Sequence, residues 1–412
     1  MNDSAYRDRR QSGSIDQSGF SIHNKGGIPT AALIFALAGL AALGVLSTNI
    51  ILPAFPDIGH SLGISSRDLT VTLSSFFISY AFGQLLVGPI SDQYGRKLFV
   101  VGGLAIFLVG SVVCATATNL NELIMGRIIQ GFGACATAVL ARAIARDLFD
   151  GEGLTRALSL IMIATAAAPG FSPILGSVFN DLAGWRSMFW FVSFFGLLLG
   201  GHYFVRIGET HLIERRSKIS FVATLLAYLQ LMINRQFIVP AVSVSLVMAG
   251  IFTFFATAPT ILLESFGFSS LGLGVYFALT VLVVFAAGAV APYLARLWTS
   301  RAATLAGIAL ALGGGIAMLL SATNLIAFTT ALSMFLFGVG IANPLGSALA
   351  LQPFARQAGT ASALFGFLQM GSAAVAIHLA AKLALPLHFA LAVVFTASST
   401  AALVVLLTGV RR

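Results

Sequence analysis

Arg127 is a cation where hydropathy argues against one. It lies inside the apolar run 120–141, three residues ahead of Gln130, while every other formally charged side chain falls in a connector, in a tail or close to a span end. A guanidinium at bilayer depth costs at least ~2.5 kcal/mol on insertion scales, so it is kept only where helices or water solvate it. Such a group marks a functional site by default; the competing account is that it bonds backbone carbonyls or amides of neighbouring helices. Uncharged polar residues in other apolar runs extend the same kind of site: Ser47, Thr48 and Asn49, then Tyr80 and Gln84, Asn343, and Gln369. Asn49, Tyr80, Gln84, Arg127, Gln130, Asn343 and Gln369 therefore form the candidate substrate-binding set. Buried amides must be hydrogen-bonded somewhere, and bonds between helices would satisfy each of them without a substrate. Phe76, Phe77 and Phe254 are candidates for apolar pocket wall, although with 34 phenylalanines most rings serve lipid or core.

A cavity of net positive charge attracts anions and repels permanent cations, so neutral, zwitterionic or anionic substrates are expected. Nothing in the chain arranges covalent chemistry. No clustered catalytic set occurs, and no G-x-x-x-x-G-K-[ST] phosphate loop, so there is no basis for an ATPase. Cys114 and Cys135 are isolated from each other and from any His cluster, which indicates small core residues rather than a disulfide or a metal site. No cofactor and no metal are expected.

The elements that must position these residues are read from composition. Apolar residues make up 58% of the 412, charged residues only 9%, and mean hydropathy is +0.95, which places the chain among polytopic membrane proteins. The net charge of +9 comes from basic residues scattered singly and in pairs, without the aromatic-studded basic face of a nucleic-acid binder. A crossing needs roughly 20 mostly apolar residues. On that criterion the spans are 30–52, 69–90, 98–118, 120–141, 157–179, 187–205, 237–263, 271–297, 302–322, 325–351, 358–381 and 385–408. Continuous apolar runs, rather than alternation over ~10 residues, exclude barrel strands. The fold expected is all-α, twelve transmembrane helices.

With twelve spans, nineteen Lys and Arg fall on one side and only Arg67, Arg186 and Lys382 on the other. The positive-inside rule then places both termini in the cytoplasm. Residues 1–29, rich in Ser, Gly, Asp and Arg, read as a disordered cytoplasmic tail rather than a cleavable signal. The longest interior connector, 207–236, separates a bundle at 30–206 from one at 237–409. Within it, residues 219–233 are apolar but too few to cross, and are expected to lie in the membrane interface. An internal echo supports the division: Val87-Gly88-Pro89 precedes Arg96-Lys97 after span two, and Val290-Ala291-Pro292 precedes Arg296 after span eight.

Several motifs then carry a resemblance. Gly88-Pro89-Ile90-Ser91-Asp92-Gln93-Tyr94-Gly95-Arg96-Lys97 matches every fixed position of G-x-x-x-D-x-x-G-R-K, the loop motif between helices two and three of the major facilitator superfamily. Arg127-Ile128-Ile129-Gln130-Gly131 is similar to the R-x-x-Q-G motif of its drug-exporting branches. Pro169-Gly170-Phe171-Ser172-Pro173-Ile174-Leu175-Gly176 is similar in part to the antiporter motif G-x-x-x-G-P-x-x-G-G. With Leu52-Pro53-Ala54-Phe55-Pro56 and Gly359-Thr360-Ala361-Ser362-Ala363-Leu364, residues 30–408 resemble Bcr/CflA-like multidrug efflux transporters. The resemblance implies two pseudo-symmetric six-helix bundles, a bacterial inner membrane, and a monomer in membrane lipid. It also implies export of a small molecule by alternating access, usually driven by an inward proton gradient.

The resemblance further implies a conformational latch made of Gly88, Asp92, Gly95, Arg96 and Lys97, with Asp92 facing the N-terminus of helix eleven at Gly359 and Arg96 paired with Asp147. Gly88 and Gly95 would allow the tight turn, and a carboxylate at a helix N-terminus is worth only ~0.3–1 kcal/mol, so the latch can open. An ordinary charged loop is the alternative. Pro169, Gly170, Pro173 and Gly176 would make span five a gating helix, against plain close packing. One departure matters. Many relatives carry a carboxylate at the position of Asn49, and no Asp or Glu lies between Thr30 and Pro56. An amide releases no proton, so the coupling acid lies elsewhere or the coupling differs. Asp57, Glu122, Asp181 and Glu264 sit at outer span ends; Glu122 points away from Arg127; His202, His378 and His388 read as structural. Export is the leading reading, with import of a small anionic or neutral metabolite as the runner-up. A membrane enzyme lacks the residues it would need.

Overall fold

The computed structural model describes residues 30–211, 221–321 and 324–409. The proposed tail at 1–29 and the charged middle of the connector, with Glu214, Arg215, Arg216 and Lys218, lie outside the described residues. Among the described residues fourteen α-helices follow one another: α1 Thr30–Asn49, α2 Phe55–Leu62, α3 Ser66–Tyr94, α4 Arg96–Thr116, α5 Leu120–Leu148, α6 Gly151–Ala183, α7 Arg186–His202, α8 Phe221–Ile233, α9 Arg235–Pro259, α10 Ser270–Leu297, α11 Ser300–Ser321, α12 Leu325–Leu351, α13 Ala358–Lys382 and α14 Leu387–Thr408. All except α2 and α8 are long and apolar enough to cross a bilayer. Helices α12 and α13 run on through a 3₁₀ turn at Gln352–Gln357, where Phe354 leaves helical geometry. That break makes two crossings of one 58-residue stretch and brings the described crossings to twelve. In lipid every backbone group must be satisfied within its own segment, which is why such runs are helical.

Local signals set the helix starts. Ser65, Asn119, Asn234, Ser269 and Asn324 each accept a backbone N–H at the head of the following helix, covering donors that the first turn leaves open. Several helices outrun their apolar windows. Span four, expected at 120–141, continues to Leu148 and carries Arg142, Arg146 and Asp147, and span five, expected at 157–179, covers Gly151–Ala183. Hydropathy detects the lipid-contacting length, whereas helical hydrogen bonding continues into water. The first span is shorter than expected. α1 stops at Asn49, and Leu52–Ala54 form a 3₁₀ turn with Pro53 early in it, because proline supplies no N–H to carry α1 onward.

The two sets of six crossings use one packing scheme. In the first, α1 packs on α5, α6 and α7, α3 on α5, and α4 on α5 and α7; in the second, α9 packs on α12, α13 and α14, α10 on α12, and α11 on α12 and α14. Small residues allow the closest pairs. A Cβ on Gly103 or Gly133 would strike the facing helix of the α4–α5 pair, and one on Gly314 or Gly338 would strike that of the α11–α12 pair, the expected way for helices to gain van der Waals contact where lipid offers no hydrophobic drive. Between the halves, α3 packs along α13 and α6 along α10. Helix α8 lies against α9 and α13.

Candidate functional site

Two adjoining cavities open where the halves meet, near the middle of the helices. The smaller is walled by Gly44, Val45, Thr48, Asn49 and Leu52 from α1 and its extension, by Leu73, Phe76, Phe77 and Tyr80 from α3, and by Pro169, Phe252, Phe255 and Met370. The larger, about 560 Å³, adds Thr165 and Ala166 of α6, Met248 and Ile251 of α9, the Thr280–Ala289 stretch of α10, and Asn343 and Pro344 of α12. Val45, Pro169, Phe252 and Phe255 belong to both. Aromatic rings dominate the shared wall: Phe77 and Phe252 approach to 5.0 Å between centroids across the two halves, and Tyr80 stacks on Phe76 at 6.0 Å. No charged side chain lines either cavity among the described residues.

Of the candidate binding residues, Asn49 and Tyr80 line the smaller cavity and Asn343 the larger. The Asn49 amide donates to the Val45 carbonyl at 2.8 Å and to the Thr48 hydroxyl at 3.2 Å. Gln369 donates to Asn343 at 3.4 Å, bridging α13 to α12 beside the cavity. Gln84 is buried at the α3–α13 contact, its side chain against the space a Cβ on Gly366 would take. Phe76 and Phe77 are pocket wall as expected from their positions. Phe254 is not: it is fully buried against Phe255 and Phe277, because its direction around α9 points into the second half.

Arg127 and Gln130 line neither cavity. Both are fully buried behind the first-half wall. The Arg127 guanidinium donates through Nη1 to the Ser47 carbonyl at 3.2 Å and to the Gln130 side-chain oxygen, and lies 4.5 Å over the face of Phe76. Gln130 in turn donates to the Ser111 hydroxyl at 2.7 Å, which donates to the Phe107 carbonyl at 2.8 Å. Ser47 belongs to the last turn of α1, where carbonyls lose their helical donors and the helix dipole is negative. The guanidinium therefore caps the broken end of α1 and steadies, through Ser47 and Phe76, the turn that carries Thr48 and Asn49. Glu122 bonds Thr118 and Asn119 and is turned away from Arg127. Nε and Nη2 of Arg127 have no partner, and among the described residues Arg127 has no ion pair.

The motif residues 88–97 form a separate cluster at the basic loop face. Gly95, with φ of 101°, makes the sharp turn between α3 and α4. Gly88 does not take part in that turn: it sits inside α3, with nothing within 4 Å of a Cβ placed there. Arg96 is nearly buried, bonding Asp147 at 3.1 Å and Ser91 at 2.7 Å and pairing with Asp92. Glu209 accepts the backbone N–H of Arg96 at 2.9 Å and of Lys97 at 3.3 Å, a carboxylate on the N-terminus of α4. Lys97 lies 4.3 Å over Phe204. The expected contact of Asp92 with the head of helix eleven is not made among the described residues, and a Cβ on Gly359 would have open space. Asp92 pairs instead with Arg96, four residues on, which the Gly95 turn brings within reach.

In α6, Pro169 faces both cavities. Gly170 packs on Ala278 and Val281 of α10 across the halves, and a Cβ on Gly176 would overlap the Ile50 carbonyl. Pro173 is buried, within an α6 that runs unbroken from Gly151 to Ala183. Ile50, Leu52, Ala54 and Phe55 are fully buried there, and Leu52 lines the smaller cavity. Sequence reasoning missed Phe252, Phe255, Met370 and Glu209. The rings are indistinguishable by pattern from lipid-facing ones, and the acid gave no sign that the chain folds back beneath α4.

Twelve crossing helices in two similarly packed sets, with adjoining cavities between them, have the architecture of a membrane carrier. The Major Facilitator Superfamily profile matches residues 35–377, and the chain belongs to that superfamily: it is a multi-pass membrane transporter, not an enzyme. It is 30% identical over 374 residues to the multidrug resistance protein MdtL of Klebsiella pneumoniae (strain 342), covering 90% of this chain and 93% of that protein. It is 29% identical over 354 residues to the uncharacterized MFS-type transporter YdgK of Bacillus subtilis (strain 168), covering 85% and 88%. The fold is shared with the nucleoside transporter NupG at TM-score 0.71 and 13% identity, and with the human organic anion transporter MFSD10 at TM-score 0.66 and 18% identity. Each of those comparisons covers 92% of this chain and 99% of the other.

Proposed function

We propose that this transporter exports small, neutral, amphipathic molecules, a Bcr/CflA-like efflux carrier of a bacterial inner membrane with both termini in the cytoplasm. The observation that carries the reading is the uncharged, aromatic-walled cavity between the halves, with isolated polar groups at Thr48, Asn49, Tyr80, Thr280 and Asn343. Apolar walls with a few placed polar atoms favour amphipathic ligands, and the resemblance of the motifs and the similarity to MdtL favour efflux. Because Arg127 lies behind Phe76 and lines neither cavity, the positively charged wall expected from sequence gives way to an uncharged one. The seven residues of the binding set then divide: Asn49, Tyr80 and Asn343 meet substrate, Gln369 and Gln84 support the wall and the contact between halves, and Arg127 and Gln130 hold the end of α1.

Proton antiport is the drive the resemblance implies, although an amide, Asn49, stands where many relatives carry an acid. A second reading, facilitated or ion-coupled import of a small neutral or anionic metabolite, is favoured by one observation: no Asp, Glu or His lines either cavity among the described residues. The deciding experiment is transport in proteoliposomes with pH, sodium and voltage gradients imposed separately, against anionic, neutral and cationic compounds. Expulsion of neutral aromatic amphiphiles driven by a pH gradient is expected. Movement of permanent cations alone would overturn the substrate reading, and accumulation without a pH dependence would favour the importer.

A further inference from the structure

Pro89 lies inside α3 and has no N–H, so the carbonyl four residues earlier, that of Leu85, loses its helical donor. An unsatisfied carbonyl inside a bilayer is costly and is normally re-satisfied from a neighbour. The neighbour here is not a crossing helix. The Tyr228 hydroxyl of α8 donates to the Leu85 carbonyl at 2.9 Å. Helix α8 belongs to the connector and packs on α9 and α13 of the second half, whereas Leu85 belongs to the first.

Apolar packing points the same way. Tyr228 and Leu231 of α8 are buried in a cluster with Phe237, Leu364 and Phe365 of the second half. Leu85 is the one first-half residue packed against it among the described residues. Burial pushes the Tyr228 hydroxyl up to about 12, which keeps it a donor. Around the bond, Phe82 meets Phe367 at 5.6 Å and Gln84 lies on Gly366, so it sits on the α3–α13 seam on the side of the 88–97 motif. The opposite face of α8, at Val222, Leu225, Leu226 and Leu229, is exposed and apolar, as suits a helix lying along the membrane.

We propose that Tyr228 is a positioning residue for the transport cycle: by filling the hydrogen bond that Pro89 vacates, it clasps α8 and the second half to α3. Any motion that parts the loop-face ends of α3 and α13 must break this bond, so its strength sets the balance between closed and parted arrangements. The inference rests on alternating access, which membership of the superfamily implies, and not on which substrate is carried.

The test uses the full-length protein in lipid nanodiscs, with spin labels at Tyr94→Cys and Gln357→Cys, two exposed positions flanking the seam. Cys114 and Cys135 are buried and stay in place. Tyr228→Phe removes one hydroxyl and is expected to raise the population of longer label distances about two- to tenfold, the range for one net hydrogen bond. Repeated in a Pro89→Ala background, where the substituted residue returns a backbone N–H to the Leu85 carbonyl, the same substitution is expected to have a clearly smaller effect. A Tyr228→Phe distribution superposable on wild type, or an equal shift in both backgrounds, overturns the proposal. Since the readout needs no substrate, a wrong substrate assignment leaves it standing.

Discussion

Replacing Arg127 by lysine separates a guanidinium that caps α1 from one that binds substrate. Through Nη1 the arginine holds both the Ser47 carbonyl, at 3.2 Å, and the Gln130 side-chain oxygen, while its plane covers Phe76 at 4.5 Å. An ammonium keeps the charge but is a compact point without the planar fork. Arg127→Lys is therefore expected to keep the Gln130 contact on its own helix and to lose Ser47 on α1. A carbonyl left unsatisfied in a buried site costs about 1–3 kcal/mol. If the whole of that appears as a displaced α1 turn, the KM rises about 5- to 150-fold, at 1.4 kcal/mol per tenfold. The displaced turn carries Thr48 and Asn49, which face the cavity, so neutral and anionic substrates should weaken by the same factor. Initial-rate uptake into proteoliposomes over a substrate range, with a neutral and an anionic compound side by side, reads this directly. Selective loss of the anionic compound would refute the capping role and restore Arg127 as a ligand; an unchanged KM for both would remove it from the site altogether.

Three further outcomes are expected. Asp92→Asn should lower the transport rate while thermal unfolding in detergent changes little, because the Asp92 carboxylate is half exposed and its pair with Arg96 is worth less than ~1 kcal/mol; normal transport by the variant counts against a latch. Gly176→Ala should lower both melting temperature and transport, since the new Cβ overlaps the Ile50 backbone, neither side can yield, and overpacking costs about 1–3 kcal/mol; an unperturbed melt would show that the α1–α6 contact is loose. Phe252→Ala and Phe255→Ala should each weaken aromatic substrates by about 0.5–1.5 kcal/mol beyond lost contact area, measured as KM, and should spare aliphatic ones more. Equal losses for both substrate types would make these rings structural.

Much of the fold was legible because lipid enforces it. Apolar length and the Lys and Arg pattern mark the crossings without tertiary information. The short α8 was legible too, since its 13 residues cannot cross. The candidate site was legible only in part. Asn49, Tyr80 and Asn343 were picked out as polar atoms in apolar runs, and they do face the cavities. Arg127 carried the same signal and faces away from them. Phe252 and Phe255 carried no signal and are central to the wall.

By itself, then, the sequence determined the class of protein, the number of crossings and the type of residue allowed at each depth, because burying charge or unpaired backbone in hydrocarbon is prohibitively costly. Only the tertiary structure decided which face of each helix meets lipid, neighbour or cavity. In a bilayer the lipid-facing and the packed sides of a helix are both apolar, so periodicity says little about direction. Directions come instead from where small residues let backbones meet, as Gly103 and Gly133 do for α4 and α5. They come also from where a freed carbonyl finds its donor, as Ser47 finds Arg127 and Leu85 finds Tyr228.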